Sequence, residues 1–208
     1  MTRPPILVLV LAGAFLLLIA SLLIGSFATP EFPPYTLTVP PASPTAVGDS
    51  LVGPATYTLD ASAGDLWRRF HFHRNAVVDS GPWDLAFRRN HLIAAPGAGV
   101  ADLGAVAFDS IREVPAEGYT ATTFGGDTVN AGVGKWYAYS MLSHLLNSKR
   151  HVYAVRTAAG RFAKLEILAY YCRDVGAACY TIRYAFQGDG SRGVTNATRP
   201  RATSPGAR

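Results

Sequence analysis

The chain has 208 residues, 49% hydrophobic and 16% charged, enough for one apolar segment and one domain with its own core. Its formal charge of +5 belongs to the ends: setting aside Arg3, Arg192, Arg199, Arg201 and Arg208 leaves 14 basic residues against 14 acidic ones. That balance argues against a nucleic-acid-binding face, and 20 glycines with 14 prolines favour short strands over long helices.

The first element is an uncharged apolar run of 22 residues, from Ile6 through Phe15 to Phe27. As a helix it reaches about 33 Å, enough for a hydrocarbon core of about 30 Å. Residues 1–28 are therefore expected to be a single transmembrane anchor. Arg3 and the α-amino group precede it, which places the N-terminus in the cytoplasm and the rest in the periplasm. The rival is a cleaved signal peptide, for which Ser26-Phe27-Ala28 supplies a small-x-small site. The run is longer than a usual signal core, and its basic flank is weak, so retention in the inner membrane is the preferred reading.

Residues 29–54 carry seven prolines and predict an extended, polyproline-like linker. Residues 191–208 read as a basic, low-complexity tail. The sequon at Asn196 in that tail reads as chance.

Between these ends, residues 55–190 show the period-two alternation of an antiparallel all-β domain of many short strands. Ala55–Leu59 is one strand. Leu66–Val78 is a second candidate, with Trp67, Phe70 and Phe72 between Arg68, Arg69, His71 and His73. Trp83, Leu85 and Phe87 share a face on a third, and Asp84 with Arg88 and Arg89 reads as pairing on the sheet surface. Tyr139–Leu146 has the only helical potential in the domain, one or two turns. The clearest unit is a three-stranded meander formed by 151–157, 162–171 and 179–187. In its middle strand Lys164 and Glu166 lie on one face and Leu165 and Ile167 on the other. Cys172 and Cys179 bracket the loop between the last two strands. Their placement favours a disulfide over a metal or redox pair, in agreement with an exported domain.

Two stretches resemble the HmuY-like family of haem-binding, envelope-anchored β-proteins. One is Trp83–Ile93 with Gly104–Asp109. The other runs from Lys135–Ser140 through His144, Val152–Thr157 and Gly160–Tyr171 to Tyr180–Tyr184. The resemblance implies an all-β fold and non-covalent haem held by two side chains from loops. Haem iron takes imidazole or thioether ligands. Among His71, His73, His91, His144, His151 and Met141, His144 is the first candidate, with His91 or His73 as its partner. No Cys-x-x-Cys-His occurs, so covalent attachment is not expected.

No nucleophile–base pair or metal triad has usable spacing, and the glycine runs 97–104 and 125–134 lack the strand–glycine–helix context of a phosphate loop. His71-Phe-His73 resembles a metal half-site, but strand alternation produces that pattern readily. An enzyme is not expected. Two readings stand: a non-enzymatic periplasmic haem binder, or an accessory subunit of a larger inner-membrane complex. In the second, helix, linker and tail would each contact lipid bilayer or integral-membrane partners.

Overall fold

The computed structural model describes residues 5–27, 51–172 and 176–195; the expected linker and the tail beyond 195 lie largely outside them. Among the described residues one helix, α1 (Ile6–Ser26), precedes twelve strands. They are β1 (Leu51–Asp60), β2 (Arg68–His71), β3 (Ala76–Val78), β4 (Leu85–Arg88), β5 (His91–Ala94), β6 (Gly99–Asp102), β7 (Thr120–Ala121), β8 (Tyr137–Tyr139), β9 (Leu146–Ser148), β10 (Val152–Arg156), β11 (Phe162–Tyr171) and β12 (Ala177–Gln187). A 3-10 turn, Phe108–Ser110, lies between β6 and β7.

α1 has a mean hydropathy of 3.0 over its most apolar window. Its two polar side chains are satisfied within the helix: Ser21 and Ser26 donate to the Leu18 and Leu22 carbonyls at 2.8 Å.

Six strands form the larger sheet, in the order β1-β12-β11-β10-β6-β7, and four form the smaller, β3-β2-β4-β5, all antiparallel. Their apolar faces meet in one core. Phe70, Leu85 and Phe87 of the smaller sheet pack with Leu165, Ile167, Tyr180, Ile182 and Tyr184 of the larger. Edge-on ring pairs such as Phe70–Tyr184 (5.5 Å) and Phe87–Tyr180 (4.9 Å) interlock the two faces. The expected meander is β10-β11-β12, turning through Gly160 at φ +71° and closed by the Cys172–Cys179 disulfide, whose Cα atoms are 4.9 Å apart.

Lys164 and Glu166 do lie opposite Leu165 and Ile167, but their face is covered as well. The segment around Phe108–Val114 and the residue Val194 pack over it. Lys164 is 1% exposed, and its Nζ donates to the Phe108 and Ile111 carbonyls at 2.9 and 2.7 Å. A register shift between Ile167 and Ala169 then changes the parity of β11, so that Tyr170 joins the core after Leu165 and Ile167.

Four expectations need correction or refinement. Tyr139–Leu146 is no helix: Tyr139 pairs with Leu146 across the β8–β9 hairpin, and 140–145 form its loop. Leu66–Val78 is a hairpin, β2 turning into β3 through Asn75 at φ +48°. Asp84 does not pair with Arg88 or Arg89 on the surface. It is buried and accepts the Phe72 N–H at 2.7 Å, fixing the end of that hairpin. At the margins, β1 begins at Leu51, and Gly193 bridges Glu113 while Val194 is fully buried.

Candidate functional site

A cleft of about 540 Å³ opens where the start of β5 meets the glycine-rich segment before β8. Asn90, His91 and Leu92 form one wall; Thr128–Ala131, Gly134, Lys135 and Tyr137 form the other. The walls are tied together from several directions. Trp136, fully buried, donates its Nε1–H to the Asn90 carbonyl at 3.0 Å, and Asn90 Nδ2 donates to the Tyr137 hydroxyl at 3.1 Å. Thr122 clamps Ala94 of β5, accepting its N–H at 2.9 Å and donating to its carbonyl at 2.8 Å. Buried Asn130 donates to the Thr120 carbonyl at 2.9 Å and the Thr122 hydroxyl at 3.2 Å, and accepts the Gly132 N–H at 3.0 Å. Gly132 lies so close to the Val100 carbonyl that a Cβ would collide with it. That contact accounts for one glycine of the 125–134 run, which thus shapes a binding wall.

The three candidate histidines are not brought together. His91 lines the cleft and is exposed. His144 stands in the β8–β9 loop at φ +56°, its Nδ1 2.5 Å from the Tyr139 hydroxyl. His73 is in the β2–β3 turn, its ring 6.1 Å from Phe186 at the far end of the core. His71 is occupied locally, its Nδ1 accepting the Arg74 N–H at 3.2 Å, and burial lowers its pKa. His151 pairs with Asp102 at 3.0 Å. Met141 is exposed in the same loop as His144. Asn90, Lys135 and Tyr137 were not singled out as site residues from sequence. Their signal in the sequence is membership of the two stretches that carry the family resemblance, Asn90 in Trp83–Ile93 and Lys135 and Tyr137 in Lys135–Ser140.

Tyr137 also begins an aromatic network that runs inward. Its ring is 5.1 Å from Trp136, which is 5.2 Å from both Tyr170 and Tyr180. Burial pushes the Tyr170 hydroxyl up to about 12 and the Tyr180 hydroxyl well above its ordinary value, so both stay neutral. They belong to the core behind Trp136 and do not line the cleft themselves.

This two-sheet arrangement, with a hairpin laid against its longest strands, is found in solved structures. The chain has the HmuY-like fold. An apo HmuY analogue from Tannerella forsythia superposes with a TM-score of 0.54 at 14% identity, over 64% of this chain and 94% of that one. A Bacteroides vulgatus protein designated HmuY-like and haem-binding gives 0.54 at 19%, over 62% and 90%. Apo PinO from Porphyromonas gingivitis gives 0.53 at 15%, over 64% and 96%. No protein-family model and no curated protein matches the sequence. The match therefore spans nearly the full length of those structures and about two thirds of this chain.

Proposed function

We propose that the protein is a non-catalytic, membrane-anchored envelope protein whose HmuY-like domain binds haem in the cleft beside His91. The observation that carries the reading is the cleft itself. It is of ligand size and joins one exposed imidazole to apolar and aromatic walls and a lysine.

The residues fit a porphyrin on one side. His91 would supply an imidazole to the iron, Val129 and Tyr137 would give the porphyrin apolar and aromatic surface, and Lys135 would neutralise a carboxylate of the group. No second histidine or methionine lines the cleft, so the fit is to iron held by one protein ligand. Bound haem would supply iron-centred ligand or electron chemistry; the protein's own part is to hold and shield it. The anchor reading rests on α1, which is apolar on every side and long enough to cross a bilayer. The length of the apolar run supports retention in the inner membrane, and Arg3 on its N-terminal side supports a periplasmic domain.

The test is haemin titration of the detergent-purified full chain, followed in the Soret band. His91→Ala should weaken binding about tenfold or more, the loss of one coordinating contact. His144→Ala and His73→Ala should leave it unchanged. An absent Soret shift at micromolar haemin, or an indifferent His91→Ala, overturns the reading.

A further inference from the structure

The β8–β9 loop presents an apolar surface that the cleft does not use. Met141 is 71% exposed and Leu142 56%, adjacent at the tip, with Tyr139 half-exposed behind them. The loop is held in shape. Ser140 donates its N–H to the Leu145 carbonyl at 2.9 Å, and Ser143 donates its N–H to Ser140 Oγ at 3.3 Å. Leu146 donates its N–H to the Tyr171 hydroxyl at 2.7 Å, which fastens the hairpin to β11. The apolar pair is thus displayed on a fixed support.

From Thr128 to Leu165 the sequence has no acidic residue. Arg150 at the foot of the hairpin is paired with Glu166 of β11 at 2.7 Å, so the basic character there comes from Lys135 and Lys149. An apolar tip, an aromatic shoulder and a basic base match the polarity gradient of a bilayer surface from acyl chains to phosphates.

A second observation, independent of composition, comes from α1. Gly25 is the only residue of that helix that is not exposed, and the tip is what covers it. A Cβ at Gly25 would run into the Leu142 carbonyl. Gly25 lies in the last turn, so in a spanning helix it sits at the level where the bilayer meets water.

We propose that the β8–β9 tip is a membrane-contact element: Met141 and Leu142 enter the headgroup–acyl boundary beside the C-terminal end of α1. The surface it binds is lipid, and it holds the domain down on the bilayer although the chain between them is long. This inference rests on the reading of α1 as a spanning anchor.

The experiment uses the full chain in phosphatidylcholine–phosphatidylglycerol vesicles, with Met141→Cys carrying an environment-sensitive fluorophore and Ser80→Cys, in an exposed turn, as the reference. The native cysteines are occupied in their disulfide. Blue-shifted emission at 141, quenched about twofold or more by lipids with a nitroxide near the headgroup, and no quenching at 80, supports the proposal. Water-like emission at 141 in protein that resists carbonate extraction overturns it and leaves the anchor standing. Release of the protein by carbonate overturns both.

Discussion

Asp84 shows how one buried side chain links pH to folding. Burial raises its pKa from 3.8 to about 6, against the opposing pull of the Phe72 N–H. Below pH 3.8 the carboxyl is protonated in both states. Between there and 6 only the unfolded chain ionises, so stability falls as pH rises, and it levels off above 6. Two pKa units correspond to about 3 kcal/mol. Asp84→Asn keeps an acceptor for the N–H and should remove this component. Urea midpoints of both proteins from pH 3.5 to 7 check it: the gap between the two curves must change across that window. A constant gap would sink the assignment. Lys164 makes the opposite point, a cation sealed under a loop and 4.3 Å from the centre of the Phe108 ring. Lys164→Met should cost about 3 kcal/mol in urea unfolding, because two buried carbonyls lose their donor. A change under about 1 kcal/mol would mean that water reaches those carbonyls. Sequence alternation gave Lys164 its face correctly. It gave no sign that the face was covered, because the covering segment 103–114 has no periodicity of its own.

At the level of elements, the long strands were legible and the short ones were not. β11 and β12 are 10 and 11 residues long and carry alternating stretches, Lys164–Ile167 in one and Tyr180–Phe186 in the other, which leaves little freedom in their assignment. β8 and β9 have three residues each, and Ser140–Leu145 between them has good helix formers. Tertiary attachment decided that segment: Ser148 Oγ donates to the Ile167 carbonyl at 2.6 Å, and the Tyr171 hydroxyl takes the Leu146 N–H. A helix there would forfeit both. The cysteines were legible because their spacing coincides with a strand return. Cys172→Ser with Cys179→Ser should lower stability by about 2–3 kcal/mol, as expected for a loop this short. The measurement is the urea midpoint of the double variant against the oxidised parent. No loss would mean that β11 and β12 pair as firmly without the bond.

For the whole molecule, an apolar helix, a β-domain and its late meander could be read from residues close in sequence. The pairing of β12 with β1 could not, since it joins residues more than a hundred positions apart. The cleft was hidden for the same reason. Its walls come from residues 90–92 and 128–137, and His91 gained importance only when that loop was seen to face it. His144 was prominent in sequence because aromatic residues precede it. In space those residues form a hairpin whose tip turns towards the anchor, which gives the segment a different role.

Among the described residues, the outer row of β1 is one margin of the larger sheet. Under the anchored reading proposed above, copies share a plane, where encounters between such margins become frequent. Pro54 brings no N–H to that row, and the register breaks between Val52 and Ala55. A neighbour trying to continue the sheet would find the ladder interrupted near its start. An interruption of this kind works against edge-to-edge pairing of copies.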